Sequence, residues 1–521
     1  MVAMHAHRFH LDALGQLIDD SPKPGPWAPG HSAFLLHGDG REAFASTGFS
    51  VAGTQTPNSP RTRFHAASIA KPFTAYLVHR LVAEGRFGFD TAVDELLADR
   101  WPHARGITVQ QLLDHRSGLH DFWPFSTLAG HTSGDIVDAA GVRAIMRAVR
   151  SWSFPAGASY LYCNTGFLIL ADVIERLHGQ PIATVARQAI FRPLGLDDTS
   201  FIDDWRAQCG GLAVAYAATP TGYREHTARY AVPGPTSLVT SARDLARWSK
   251  YVLSGDDPAI ASMLRPHTHW YRFGFGYANG LLQVQRADGS RVIGHSGADW
   301  GFYASWFIDL ASGQAAGVLS NGNNAKAEQS ALRLLMEPFD DAAVDTHPGF
   351  PLPLADGESR LFRNQHRNIM FEGFAGGLRV PSLGDVFIPW DSRKGHYRVP
   401  GYCGHAAFHP ARDGRWRCQW VSPHDSFEIL DAEPQQQERW PALSIRRLFI
   451  EDTNLAVKIE PDADGIHLVM GDMHIIPMRR VDASLCVGGG FTLALLPQDE
   501  PDGCVARLFH PRARGIGLYQ R

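Results

Sequence analysis

The chain has 521 residues, a formal net charge of −4 at pH 7, 44% hydrophobic residues and 20% charged residues. This balance is typical of an ordinary soluble globular protein, and a chain of this length can bury substantial cores without added cross-links. The small net charge and the lack of a long basic run argue against nucleic acid or an anionic membrane as the main partner.

No basic region followed by an apolar core marks the N-terminus as a secretory signal, and no apolar run approaches the ~18 residues that span a bilayer. We therefore expect a cytoplasmic protein without a membrane partner, although a removed signal would leave the same picture. The six cysteines show no CxxC spacing, which argues against a zinc ribbon or a disulfide framework and leaves one or two disulfides open. No HExxH or EF-hand motif is present, and we expect neither a metal nor an organic cofactor.

The predicted elements begin with a hairpin, Ala33–Leu36 and Ala43–Thr47, around the turn formers HGDG. Apolar residues at helical spacing predict a helix over 73–81, stopped by Gly85. A second, amphipathic helix is predicted over 167–177, with Gly179 closing it. Three further strand-like runs follow, at Gly280–Gln285, Arg291–Ile293 and Ala304–Ile308.

The composition of the sequence changes at about 340–356, where acidic, Pro and Gly residues predict a linker. Beyond it the helical periodicity fades, and alternation over 455–459 and 466–470 predicts a strand, a turn and a strand. The polar segment 433–438 could separate two β modules. We therefore divide the chain into a domain over 1–340, a linker over 341–356, and two β domains over 357–435 and 436–521.

Ser68-Ile69-Ala70-Lys71 opens the first predicted helix. A spacing of three places Ser68 and Lys71 on one helix face, where they can share a proton. A serine hydroxyl needs such a neighbour because it is a weak nucleophile alone, and the helix N-terminus favours an anionic oxygen. Taken alone, the pair could equally be an N-cap serine and a solvated lysine.

Tyr162-Cys163-Asn164 precedes the second helix. A phenol beside a lysine and a serine can act as a general base and return the proton to the leaving group, while the amide could hold the lysine and the substrate backbone. The alternative is a core aromatic followed by a helix N-cap. A second such triplet, Tyr277-Ala278-Asn279, lies in a Gly-rich strand-like stretch, and we discount it for that reason.

His295-Ser296-Gly297-Ala298 is expected between two strands. Gly297 would let a substrate backbone approach a strand edge, and the Ala298 amide could join the Ser68 amide as an oxyanion hole. His295 would affect the electrostatics of the pocket or transfer a proton. A histidine at a strand end without a functional role is the alternative.

In this order, the three motifs resemble those of serine β-lactamases and DD-peptidases of the class C arrangement. LLDHRSGL at 112–119 and PLGLDDTSF at 193–201 add to the resemblance, which covers residues 25–335. It implies an α/β (α+β) catalytic domain: an antiparallel sheet flanked by helices plus a helical region, with the active site between them. It also implies acylation of Ser68, an oxyanion bound by the Ser68 and Ala298 amides, and a general-base role shared by Lys71 and Tyr162.

Within this superfamily the sequence is most similar to the D-stereospecific aminopeptidases, through SGLHDFW at 117–123, YCNTGFLILADVIE at 162–175 and the histidine at 295. This resemblance implies two C-terminal antiparallel β-barrel domains. It also implies a loop from the last barrel that enters the active site; the Gly488–Gly490 turn is a candidate for part of that loop, and a surface hairpin is the alternative.

The expected function is hydrolysis, through an acyl-enzyme, that releases an N-terminal D-residue such as D-Ala from a peptide, amide or ester. An acidic side chain would receive the substrate ammonium, and Asp121 and Asp299 are candidates. A carboxylesterase, a DD-carboxypeptidase or a β-lactamase would use the same mechanism, and a non-catalytic binding protein would use the fold as a scaffold. The expected partner is a small molecule or short peptide, and a homodimer remains open.

Overall fold

The computed structural model describes residues 28–335 except 98, 132–133, 207–209, 220, 228, 267–274, 287 and 323–326, together with residues 354, 358 and 455 and the C-terminal strands given below. Within these parts of the chain, no helix combines the length and the apolar character needed to cross a membrane.

The N-terminal part combines sixteen strands with ten α-helices among its described residues. The strands are β1 (His31–Leu36), β2 (Glu42–Thr47), β3 (Phe49–Val51), β4 (Thr56–Pro57), β5 (Phe64–Ala67), β6 (Val137–Asp138), β7 (Ser200–Phe201), β8 (Ala215–Thr219), β9 (Gly222–His226), β10 (Tyr230–Ala231), β11 (Leu238–Thr240), β12 (Phe275–Ala278), β13 (Leu281–Gln285), β14 (Arg291–Asp299), β15 (Phe302–Asp309) and β16 (Gln314–Ser320). The helices are α1 (Ala70–Ala83), α2 (Val93–Leu97), α3 (Val109–Leu113), α4 (Phe122–Leu128), α5 (Ala139–Ala148), α6 (Asn164–His178), α7 (Ile182–Ala186), α8 (Ala242–Ser254), α9 (Pro258–Met263) and α10 (Ala327–Leu335).

A seven-stranded antiparallel sheet in the order β12-β13-β14-β15-β16-β1-β2 forms the framework. The predicted N-terminal hairpin is confirmed, since β1 pairs with β2 in a register that places Ala33 opposite Ala45. Both faces of the sheet are covered, because helix α8 packs on β1 and β16 and helix α10 packs on β15 and β16. Successive side chains of β1 point to opposite faces of the sheet, which explains this arrangement. Leu35 packs in the hydrophobic cluster that includes residues of α10, and Phe34 packs in the one that includes residues of α8.

Helices α1 and α6 pack against each other in the centre of this part of the chain. The sequence predicts both helices, but it predicts α6 as amphipathic, and this is wrong for its first three turns. Every residue of α6 from Asn164 to Ile174 is buried, and so is α1 from Ala70 to His79. A helix that is apolar around its circumference lies inside the protein. Gly179 caps α6 in the left-handed conformation, as predicted.

Strand β14 is longer than its predicted form. It runs from Arg291 to Asp299, so that His295, Gly297 and Ala298 lie inside the strand rather than after it. The sequence indicates an end at Ile293 because Gly294, Ser296 and Gly297 have low strand propensity. Pairing with β15 along the whole segment, from Val292 to Asp299, overrides that local preference.

The C-terminal strands form two closed antiparallel barrels of eight strands each. The first is built from β17 (Ser359–Arg363), β18 (Asn368–Phe374), β19 (Gly377–Val380), β20 (Asp385–Asp391), β21 (His396–Arg398), β22 (His405–Pro410), β23 (Trp416–Val421) and β24 (Ser426–Asp431). The second is built from β25 (Arg446–Ile450), β26 (Ala456–Pro461), β27 (Gly465–Met470), β28 (His474–Arg480), β29 (Leu485–Gly488), β30 (Phe491–Leu495), β31 (Cys504–His510) and β32 (Ala513–Tyr519).

Within the second barrel, the alternation seen in the sequence becomes the buried face of a hairpin. Ile459 lies opposite Leu468 across β26 and β27, and both side chains are buried. Residues 433–438 lie outside the described residues, as does the predicted linker except for Leu354, which is buried. Gly488 pairs with Phe491 at the end of β29, while residues 489–490 are outside the described residues.

Candidate active site

The Ser68 hydroxyl lies in a turn between the end of strand β5 and the start of helix α1. Ala67, the residue before it, has a φ of 48°, a left-handed conformation that is costly for a residue with a Cβ. Lys71 lies in the first turn of α1 and is completely buried. Its Nζ donates a hydrogen bond of 3.0 Å to Ser68 Oγ, so the predicted pairing of these two side chains is present in the structure.

The amino group of Lys71 also contacts acceptors other than Ser68. Nζ donates 2.7 Å hydrogen bonds to Asn164 Oδ1 and to the main-chain carbonyl of Pro235. A carbonyl oxygen can only accept, so these contacts fix two N–H groups of Lys71 in either protonation state. The third tetrahedral position points to Ser68 Oγ, where it carries an N–H in the ammonium and a lone pair in the amine. This geometry suits a base that takes the proton of Ser68.

The amide of Asn164 is itself oriented by a buried carboxylate. Asp121 Oδ2 accepts hydrogen bonds from Asn164 Nδ2 (2.7 Å) and from the Asn164 main-chain N–H. Asp121 Oδ1 accepts from the main-chain N–H of Trp123 at the start of α4. Asp121 is fully buried, which excludes it as the residue that binds a substrate ammonium. It acts instead by holding the amide that holds Lys71.

Tyr162 packs over Lys71, whose Nζ lies 4.7 Å from the centre of the phenol ring. The same ring also lies close to His115, with ring centres 4.2 Å apart. Tyr162 is buried at the end of the segment that leads into α6. The predicted grouping of Tyr162 with Ser68, Lys71 and Asn164 is therefore present in the structure.

His295 lies on the same side of the site, with its ring centre 6.1 Å from that of Tyr162. Its Nδ1 bonds the main-chain carbonyl of Ser296, so Nδ1 carries the proton. Its Nε2 is then the acceptor of a 2.9 Å hydrogen bond from the Tyr277 hydroxyl. Burial, and secondly the charge of Lys71, lowers the pKa of His295 to about 3. The imidazole is therefore neutral at pH 7.

Tyr277 also belongs to the site, although its Gly-rich sequence context does not indicate a functional residue. It lies on β12, as the Gly-rich context indicates, but its buried ring also lies near those of His115 and Tyr162, with ring centres 4.4 Å and 6.0 Å away. Only the pairing of β12, β13 and β14 brings this ring beside His295. In the triplet Tyr277-Ala278-Asn279, the tyrosine therefore supports His295 and is not a base.

Replacing Tyr277 with phenylalanine removes the hydroxyl that donates to His295 and leaves a buried Nε2 unpaired. We expect the free energy of unfolding to fall by about 1–3 kcal/mol and acylation to slow by roughly 10-fold. Urea unfolding and a p-nitrophenyl ester burst assay measure the two effects. Tyr76→Phe is the control, because it removes a buried hydroxyl that bonds Asp257 instead. Equal burst rates in the two variants would show that the Tyr277 hydroxyl has no role in acylation.

One edge of β14 faces Ser68. Pairing with β13 covers β14 only from Arg291 to Gly294, whereas pairing with β15 continues to Asp299. A Cβ on Gly297 would lie 2.3 Å from the Ala66 carbonyl and 3.0 Å from Ser68 N. Only glycine lets β14 approach the Ser68 turn this closely. Ala298, which follows, is exposed.

Asp299 and Cys163 have structural partners of their own. Asp299 Oδ2 accepts from Thr236 Oγ1 and lies 2.9 Å from His65 Nδ1. Cys163 is a buried free thiol, and burial raises its pKa to about 12, so it packs as an apolar side chain and is no nucleophile. Cys418 and Cys486 are also buried. Among the described residues, no group of three His, Cys, Asp or Glu side chains could hold a metal ion.

Comparison with known proteins agrees with this geometry. A curated D-aminopeptidase from Brucella anthropi is 28% identical over 256 residues, which are 48% of this chain and 48% of that protein. The chain therefore matches about half the length of this relative. A solved D-stereospecific amidohydrolase from Streptomyces sp. has a TM-score of 0.53 at 24% identity and covers 62% of this chain and 97% of its own.

The octameric penicillin-binding protein homologue from Pyrococcus abyssi has a TM-score of 0.56 at 20% identity, covering 83% of this chain and 100% of its own. Both structural likenesses concern the fold. The family profile described as Beta-lactamase matches residues 17–337, well over half of the chain. This match includes all three motifs of the site, from Ser68 to Ala298. The chain belongs to the beta-lactamase family.

Proposed function

We propose that this protein is a serine hydrolase that forms an acyl-enzyme on Ser68 and releases N-terminal D-amino acids, such as D-Ala, from short peptides, amides or esters. The observation that carries the proposal is the buried amino group of Lys71, whose Nζ lies 3.0 Å from Ser68 Oγ and also bonds Asn164 Oδ1 and the Pro235 carbonyl. A lysine that is buried beside a serine hydroxyl can exchange a proton with it, which a solvated lysine does not do.

In the proposed reaction, Ser68 Oγ attacks the carbonyl carbon of the substrate while its proton passes to Lys71 Nζ or to Tyr162. The two side chains share the general-base role, and either can return the proton to the departing amine or alcohol. Water then attacks the acyl-enzyme, and its proton follows the same route back to Ser68. Each step conserves the charge of the buried site, because the proton moves among adjacent groups.

The negative charge on the carbonyl oxygen is proposed to be stabilised by the main-chain N–H groups of Ser68 and Ala298. Support comes from the close approach of β14 to Ser68 at Gly297 and from the edge of β14 that β13 leaves uncovered. A substrate backbone can pair with such an edge as an added strand. Asn164 is proposed to bind the substrate as well as Lys71, and a neutral His295 to set the electrostatics beside Tyr162.

The division of the chain is part of the proposal. We place the catalytic domain at 1–340, the linker at 341–356, and two β-barrel domains at 357–435 and 436–521. The interiors of both barrels hold large buried side chains such as Phe362 and Met470, and an eight-stranded barrel of this kind is a packed core. We propose that the enzyme is cytoplasmic, and the homodimer stays a prediction.

The test is hydrolysis of D-alanine p-nitroanilide compared with L-alanine p-nitroanilide. We expect kcat/KM for the D-substrate to exceed that for the L-substrate by roughly 100-fold or more, which corresponds to about 3 kcal/mol of discrimination in the transition state. Ser68→Ala is the control for background release, and the purified variant should show no release above the uncatalysed rate.

Each alternative predicts a different outcome. If neither anilide is cleaved but a p-nitrophenyl ester acylates Ser68, the enzyme is a carboxylesterase of the same mechanism. Release of D-Ala from the C-terminus of a D-Ala-D-Ala peptide, or opening of a β-lactam, would indicate a DD-carboxypeptidase or a β-lactamase. If a serine-directed phosphonate leaves Ser68 unmodified, the chain is a binding protein on this scaffold and the proposal is wrong.

A further inference from the structure

Asp299 has a position that the reaction described above does not use. It ends β14, one residue after Ala298, and its side chain is 6% exposed. A single carboxylate oxygen, Oδ2, accepts a 2.9 Å hydrogen bond from Thr236 Oγ1 and lies 2.9 Å from His65 Nδ1. Such burial argues against Asp299 as the residue that receives a substrate ammonium. The carboxylate instead joins two other segments of the chain.

Thr236 belongs to the first of these segments, residues 232–237. Pro235, its neighbour, supplies the carbonyl that accepts from Lys71. Ser237 has a φ of 61°, a left-handed conformation that is costly for a residue with a Cβ, and Gly234 has a φ of 109°, which glycine adopts readily. A Cβ on Gly234 would lie 2.7 Å from Ala171 Cβ. A turn of this kind keeps its shape only while its surroundings fix it, and the Thr236 side chain is one of the fixed points.

His65 belongs to the second segment. It lies on β5, three residues before Ser68, and is buried. Strand β5 ends at Ala67, so any shift of the strand moves the nucleophile. Asp299 therefore contacts both the strand that delivers Ser68 and the turn that holds Lys71, and it does so from the strand that carries Ala298.

We propose that Asp299 is a positioning residue that sets the distance between Ser68 Oγ and Lys71 Nζ through His65 and Thr236. This inference rests on the proposed acylation of Ser68. The titratable groups that face Asp299 are His65 and Tyr230. Those that face Lys71 are Tyr162 and His295. The carboxylate acts on Lys71 through a main-chain carbonyl rather than by direct contact.

The test is the pre-steady-state burst with p-nitrophenyl acetate from pH 5 to pH 10. Thr236→Val keeps the shape of the side chain and removes the hydroxyl that bonds Asp299. We expect the acylation rate constant to fall roughly 30-fold, since small misplacements of reacting groups cost up to about 100-fold, with KM changed by less than about 3-fold. The midpoint of the pH profile should move to lower pH, because a less firmly held Pro235 carbonyl stabilises the Lys71 ammonium less. Thr236→Ser should restore both values.

A double-mutant cycle separates positioning from general destabilisation. If Asp299 acts through Thr236, the variant Asp299→Ala with Thr236→Val acylates no more slowly than Asp299→Ala alone. Thr199→Val is the matched control, because Thr199 Oγ1 donates to another buried carboxylate, Asp244. We expect it to lower the melting temperature while the pH profile stays that of the wild type.

The outcomes distinguish this inference from the proposed function. If the wild-type protein shows a burst and Thr236→Val keeps its rate and pH profile, the positioning role is wrong and the acylation of Ser68 stands. Additive losses in the double variant would likewise overturn the link between Asp299 and Thr236. If the wild-type protein hydrolyses no ester and a serine-directed phosphonate leaves Ser68 unmodified, both the proposed function and this inference are wrong.

Discussion

Replacing Lys71 with methionine is expected to slow the acylation of Ser68 by on the order of 10⁴-fold, the upper range for loss of a positioned proton acceptor. Methionine fills a similar volume but cannot take a proton. It also leaves Asn164 Oδ1 and the Pro235 carbonyl without the donor that they have in the wild type. We therefore expect the free energy of unfolding to fall by about 2–6 kcal/mol as well, from two buried acceptors. Burst kinetics and urea unfolding measure these two effects.

Lys250→Met is the control for the loss of a lysine as such. Lys250 lies on α8 in the same part of the chain, is 46% exposed and pairs with Glu42 on the surface. A surface pair of this kind contributes at most about 1 kcal/mol, so both its stability and its burst rate should stay near the wild type. If Lys71→Met acylates within 10-fold of the wild-type rate, Lys71 is not the main general base, and Tyr162 takes that role.

Acid is expected to destabilise the N-terminal part of the chain well above the pH at which carboxylates titrate. Burial lowers the pKa of His79 and His295 to about 3 and that of His31 to about 4, whereas an unfolded chain titrates its histidines near pH 6.5. Between pH 6.5 and about 4 the unfolded chain therefore binds more protons than the folded chain. Stability contributed by these neutral histidines is complete above pH 6.5 and is lost as the pH falls through this window.

The size of this effect follows from the same values. Each of the three histidines removes about 2 kcal/mol of stability between pH 7 and pH 5, and together they remove about 6 kcal/mol. This is a large share of the net stability of a typical domain. Urea unfolding at the two pH values, followed by hydrogen exchange of the α1 amides, measures the difference for this part of the chain alone.

His79→Gln tests the assignment, because glutamine has no charge to gain. The difference in stability between pH 7 and pH 5 should shrink by about 2 kcal/mol relative to the wild type. His178→Gln, at an exposed histidine in the last turn of α6, should leave the difference unchanged. If His79→Gln shows the full wild-type difference, then protonation of buried histidines does not drive the acid unfolding of this part of the chain.

The sequence predicts much of the local structure because its signals are local. The hairpin of β1 and β2 follows from alternation and turn formers, and helix α6 ends at Gly179 because a left-handed cap favours glycine. The same holds for Ser68 and Lys71: a spacing of three in a helix brings two side chains together whatever surrounds them. That pairing is present in the structure at 3.0 Å.

Other features depend on contacts that the linear pattern does not contain. The extension of β14 to Asp299 comes from pairing with β15, and the burial of α1 and α6 comes from packing against each other and their neighbours. Tyr277 reaches His295 across 18 residues of sequence because two strand pairings fold β12 back beside β14. Asp121 looks like a candidate for binding an ammonium until its three N–H donors are seen.

The sequence by itself determined the family, the order of the three motifs and the pairing of Ser68 with Lys71, because these depend on residue types and spacings. The tertiary structure alone decided what each buried polar group does. It placed the Asp121 carboxylate against the Asn164 amide and the Tyr277 hydroxyl against His295. It also placed the Asp299 carboxylate against Thr236 and His65. The reason is physical: a buried charge or hydroxyl must find a partner, and which partner is near is fixed by packing between segments far apart in the chain.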